Sequence, residues 1–81
     1  MKTINDAIVE RLYKYMNEKN LTQYKLAQLS GIPFPTLKSI MQRKTANITL
    51  KTVILLARGL NISLNEFLDE TIFNCDNLDL E

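Results

Sequence analysis

The tightest constraint on this chain is the stretch Leu21 to Ile40, LTQYKLAQLSGIPFPTLKSI, where two short helices are joined across the four residues Ser30-Gly31-Ile32-Pro33. Leu26 and Ala27 supply the inward face of the first helix, and Leu37 and Ile40 that of the second. A backbone that reverses within so few residues needs one position tolerant of positive φ, and Gly31 meets that need at almost no cost. Pro33 and Pro35 then fall in the opening turn of the next helix, where a missing amide hydrogen matters least. The spacing predicts two helices meeting at a steep angle.

The flanking segments supply more helices. From residue 4 to 19, apolar side chains recur at Ile4, Ile8, Leu12 and Tyr15 or Met16, widened by Val9 and Tyr13, which is the period of a helix with one buried side. Thr3, with Asp6 three residues on, is a capping arrangement for its start. A tripeptide of Asn, an apolar residue and a hydroxyl then recurs as Asn20-Leu21-Thr22, Asn47-Ile48-Thr49 and Asn61-Ile62-Ser63. In each, the hydroxyl is placed to cap a helix and Asn to take the turn geometry before it. The apolar residue can staple to one five positions later: Leu21 to Leu26, Ile48 to Val53, Ile62 to Phe67. Ser63 and Glu66 complete a capping box, and Gly59 followed by Asn61 reads as a stop signal. The expectation is five helices, about 4–19, 22–29, 33–42, 49–59 and 63–69. Their core is Ile8, Leu12, Leu21, Leu26, Ala27, Ile32, Leu37, Ile40, Val53, Leu56, Ala57, Leu60, Ile62, Phe67 and Leu68.

The chain resembles the Cro/repressor-type helix-turn-helix proteins of the xenobiotic-response-element family. The likeness is carried by Leu21-Thr22-Gln23, Leu26-Ala27, Ser30-Gly31-Ile32, Thr36-Leu37 and Ile40. The loop from Lys44 to Thr49 and the run Val53, Leu56-Ala57, Leu60, Ile62, Ser63 and Phe67-Leu68 also fit. It spans residues 5 to 69. The resemblance implies an all-α, five-helix, lambda-repressor-like domain (residues 1–69), followed by an acidic C-terminal tail (residues 70–81). The function implied is sequence-specific binding of double-stranded DNA by a transcriptional regulator, a repressor, with the helix at about 33–42 in the major groove.

Composition narrows the alternatives. The 81 residues provide for one small domain, which buries only about 60% of its unfolded surface and gains from dimerisation. No apolar run approaches the ~20 residues of a membrane span, and no secretory signal is visible. Cys75 is the single cysteine, which excludes an internal disulfide and suits a reducing cytosol, so a cytoplasmic protein is expected. Histidine is absent, removing the commonest general base and any plausible zinc site; neither an enzyme nor a cofactor is expected.

A net charge of +1 conceals segregation. From Lys19 to Asn65 the charged residues are Lys19, Lys25, Lys38, Arg43, Lys44, Lys51 and Arg58, with no acid. From Glu66 onward they are Glu66, Asp69, Glu70, Asp76, Asp79 and Glu81, with no base. Read plainly this is solvated surface; read sharply, it is a cationic face kept apart from an anionic tail.

With Leu37 and Ile40 turned inward, Phe34, Pro35, Thr36, Lys38 and Ser39 are the candidate base contacts. The set is short of amide and guanidinium groups, so readout falls to thymine methyls against Phe34 and Pro35, hydroxyl bonds, Lys38 to guanine, and DNA shape. Phe34 has a second option, folding back on the preceding helix near Leu29. The candidate phosphate contacts are Thr22, Gln23, Gln28, Arg43, Lys44 and Asn47. Gln23 matches the family position that grips a phosphate, and Arg43 stands where the family often has Gly. The resemblance also implies a homodimer, for which Ile54, Leu55, Leu64, Phe67, Ile72 and Phe73 are candidates. The other functional class is a protein-interaction module, an antitoxin-like binder of a toxin or regulator, without DNA.

Overall fold

The structure, a computed structural model, describes residues 2–80. Met1 and Glu81, which open the expected domain and close the expected tail, lie outside the described residues. Five α-helices follow a short strand β1 (Lys2–Thr3): α1 (Ile4–Lys19), α2 (Gln23–Ser30), α3 (Phe34–Met41), α4 (Leu50–Gly59) and α5 (Leu64–Leu68). Two single-turn 3-10 segments, Thr71–Phe73 and Cys75–Asn77, lead into β2 (Leu78–Asp79).

The helix starts are set locally. The hydroxyls of Thr22, Thr49 and Ser63 accept from the amides of Lys25, Thr52 and Glu66 at 3.1, 3.2 and 3.0 Å. Each satisfies one of the amides a helix start leaves free. Thr3 and Asp6 cap each other reciprocally at α1. Ser63 and Glu66 do not, because the Glu66 carboxylate accepts instead from the Tyr15 hydroxyl at 3.3 Å. Asn20 and Asn61 take left-handed φ of 54° and 60°, and Gly31 ends α2 at 75°. The left-handed residue of the α3–α4 connection is Arg43, with φ 59°, the position where the resemblance leads one to expect Gly.

The core joins all five helices. Ala7, Ile8, Val9, Leu12, Tyr15 and Met16 of α1 close over Leu26, Ala27, Leu37, Ile40, Met41, Val53, Leu56, Ala57, Leu60 and Phe67. Leu21 and Ile62 pack against this cluster half-buried, as stapling residues do. Leu68 differs from expectation and is 38% exposed. α5 turns Leu64 and Phe67, three residues apart, toward the core, and Leu68 is left at the edge of that face.

Gly59 also differs. It is the last residue of α4, and the stop comes at Leu60 and Asn61. At Gly59, α4 crosses the end of α2 so closely that an added Cβ would stand 2.9 Å from the Ser30 amide nitrogen. Arg11 is a charged residue that the expected core did not include, 4% exposed. Its Nε donates to the Phe67 carbonyl at 2.7 Å, and its Nη2 to the Glu66 carbonyl at 2.6 Å and the Tyr15 hydroxyl at 3.2 Å. One buried guanidinium thus satisfies carbonyls at the end of α5.

The tail folds back over α1. Phe73 lies against Phe67 with ring centroids 6.2 Å apart, and β2 pairs in parallel with β1, Lys2 opposite Leu78 and Thr3 opposite Asp79. This two-residue ladder is the sole addition to a helical fold among the described residues.

Candidate nucleic-acid interface

α3 is held by its inner side and open on its outer side. Leu37, Ile40 and Met41 are buried, whereas Phe34, Pro35, Thr36 and Lys38 are exposed and Ser39 is half-buried. Pro33 occupies the cap position with no side-chain bond, and Pro35 has no amide to donate. The start of α3 therefore offers few backbone donors, and its outer surface is mainly apolar and hydroxylic.

Phe34 takes neither of its two expected positions alone. Its ring meets Tyr24 of α2 edge to face, with centroids 5.6 Å apart and planes at 70°, yet it remains 37% exposed. The partner on α2 is Tyr24 rather than Leu29, and Tyr24 is itself 58% exposed.

The start of α2 stands beside the start of α3 through this ring pair. There Thr22 is exposed and Gln23 half-buried; Gln28 is exposed further along α2. All seven bases between residues 19 and 65 are exposed, and only Arg43 has a carboxylate at ion-pair distance among the described residues. The other six cations have no ion-pair partner among the described residues.

Arg43, Lys44 and Asn47 line one hollow with Asn5 and Asp6 of α1. Arg43 Nε donates to Asp6 Oδ1 at 2.8 Å, and Asn5 Nδ2 donates to the carbonyls of Thr45 and Ala46 at 2.7 and 3.1 Å. The first turn of α1 thus holds the α3–α4 loop that carries three of the candidate phosphate contacts. The Asp6 carboxyl is held below the usual carboxylate range by the Thr3 amide first, then the Thr3 hydroxyl and Arg43. Nothing in the local sequence signals Asn5 or Tyr24 in these roles. Both act across gaps in the chain that periodicity does not register.

The six candidate dimer residues do not make one surface. Phe67 is 0% exposed and is corrected to a core residue: its ring is enclosed by the helices and by Phe73, leaving nothing for a partner to touch. Ile54 and Leu64 share a hollow between α4 and α5, while Leu55 packs half-buried on the core. Ile72 lines a separate hollow with Glu10, Arg11 and Lys14.

A profile of the family described as helix-turn-helix matches residues 12–67. Control protein C.SmaI of Serratia marcescens is 38% identical over 65 residues, covering 80% of this chain and 76% of that protein. Among solved structures, the prophage Lp1 protein 11 matches with a TM-score of 0.80 at 27% identity, over 91% of this chain and 97% of that one. The N-terminal DNA-binding domain of SinR from Bacillus subtilis matches with a TM-score of 0.68 at 26% identity, over 79% and 93% of the two chains.

Proposed function

The chain belongs to the helix-turn-helix family and is a DNA-binding transcriptional regulator; on that premise we propose that it is a dimeric repressor that lays α3 in the major groove. The observation carrying this reading is the two-sidedness of α3: Leu37, Ile40 and Met41 fix it to the core while Phe34, Pro35, Thr36 and Lys38 stay exposed. Phe34 and Pro35 meet thymine methyls, Thr36 and Ser39 supply hydroxyl bonds, and Lys38 reaches guanine. Thr22, Gln23, Gln28, Arg43, Lys44 and Asn47 grip phosphates on either side. These contacts fix register without reading sequence.

Dimerisation centres on Ile54 and Leu64, with Leu55 behind them. Ile54 is 44% exposed on α4, and burying it against a second copy removes apolar surface from water. The two-fold then sets two α3 helices about 34 Å apart on a pseudo-palindrome. A dimer seated over a promoter excludes polymerase from the same duplex, which is the sense in which it represses.

Selection of bound duplexes from a random pool tests the readout. Wild type is expected to yield a pseudo-palindromic consensus, with each neutralised phosphate adding about 0.9 to the salt slope. Lys38→Ala and Ser39→Ala are expected to relax that consensus, and an unchanged consensus from both removes these residues from readout. Sedimentation tests the dimer: monomers at high micromolar concentration reject it.

A further inference from the structure

We infer that Tyr24 and Phe34 act as one aromatic unit in sequence readout, with Tyr24 the positioning residue that holds the Phe34 ring for a thymine methyl. This rests on the reading that α3 enters the major groove and adds a residue of α2 to it. Tyr24 is the most exposed of the aromatic residues, and it is the second residue of α2, next to the half-buried Gln23. Phe34 is the first residue of α3. Their rings meet at 5.6 Å and 70°, the edge-to-face arrangement in which a positive ring edge points at a negative ring face.

The contact has a consequence for recognition. An aromatic side chain at an exposed helix start has several rotamers open to it, and each would present a different surface to a groove. Against Tyr24 the Phe34 ring is confined to one side of α3 while more than a third of it stays accessible. With Pro35 next to it, the Phe34 ring forms an apolar surface, and the base feature complementary to an apolar surface in the major groove is the C5-methyl of thymine. Orienting the ring in advance converts a general apolar contact into a directional one. Tyr24 needs to touch no base to do this.

The test uses the wild-type selected duplex with each thymine replaced in turn by uracil, which lacks only the C5-methyl. Wild type is expected to lose about 5- to 10-fold in affinity at one position per half-site. Phe34→Leu abolishes that sensitivity. Tyr24→Leu reduces it to less than about twofold, with the salt slope unchanged because no phosphate contact is removed. Tyr24→Phe keeps it, since the ring rather than the hydroxyl does the positioning. Circular dichroism of Tyr24→Leu is expected to match wild type, the side chain being mostly exposed.

Wild-type sensitivity retained in Tyr24→Leu overturns the proposal, as does wild-type indifference to every uracil, or a Tyr24→Phe variant that behaves like Tyr24→Leu. Absence of salt-dependent binding by wild type itself would instead remove the groove-binding reading beneath it, and that is seen before any variant is made.

Discussion

Gly59 of α4 and Ser30 of α2 meet with no room for a side chain between them: a Cβ on Gly59 would lie 2.9 Å from both the Cβ and the amide nitrogen of Ser30. Ser30 is fully buried there, its hydroxyl donating to the Ala27 carbonyl at 3.2 Å. This close crossing sets how α2 lies on α4, and α3 packs against α2 in turn.

Gly59→Ala sets two effects against each other. Alanine favours a helix by about 1 kcal/mol over glycine, but overpacking against backbone that cannot rotate away costs about 1–3 kcal/mol. The expected result is net destabilisation of roughly 1 kcal/mol, seen as a lower urea midpoint at unchanged slope. A higher midpoint would show that the two helices separate freely.

Arg43 carries two opposed contributions. A non-glycine residue in the left-handed region costs roughly 1 kcal/mol, while its ion pair with Asp6, exposed to solvent on both sides, returns little. Arg43→Gly is therefore expected to leave stability level or raise it by a few tenths of a kcal/mol, while lowering the salt slope of DNA binding by about 0.9. A slope equal to wild type would remove Arg43 from the phosphate contacts.

Arg11 serves the end of α5 from within the core. Arg11→Met fits the space but leaves the buried Phe67 carbonyl without its donor, whereas the Glu66 carbonyl keeps the Asp69 amide at 3.2 Å. One buried orphan costs about 1–3 kcal/mol, so a loss of about that size is expected, and a fall in Tm of at least ~4 °C. A loss below ~1 kcal/mol would mean that water replaces the guanidinium.

Two groups give the stability–pH profile its limbs. Asp6 titrates below its ordinary 3.8 in the folded protein, so its contribution is complete above that value and is lost as pH falls through the lower, folded-state pKa. Asp6→Asn is expected to flatten the acid limb. Tyr15 is raised above 10.0, by burial first, with Glu66 adding to the rise and Arg11 opposing it. Its contribution is complete below about that pH and is lost as pH rises through the folded pKa, so Tyr15→Phe is expected to flatten the alkaline limb. Urea midpoints across the pH range measure both.

The helix boundaries and the cap hydroxyls were legible because each depends on residues within one turn: Thr22 with Lys25, Thr49 with Thr52, Ser63 with Glu66. The outward side of α3 was legible for a related reason, since turning Leu37 and Ile40 inward leaves the intervening residues no other direction. The Ser63–Glu66 box failed at its second half because a group on α1, unseen from the local sequence, competed for the same carboxylate.

Sequence alone thus determined which segments coil, where they start and which stripe of each is apolar, because these follow from neighbours three or four residues apart. Tertiary structure decided what those stripes enclose and what the exposed residues meet. Arg11 reaches a carbonyl 56 residues away, Asn5 a loop 40 residues away, and Tyr24 a ring on the next helix. Such pairings leave no periodic trace along the chain; they exist only once the helices have crossed, at distances set by Gly59 against Ser30 and by Phe67 beneath Phe73.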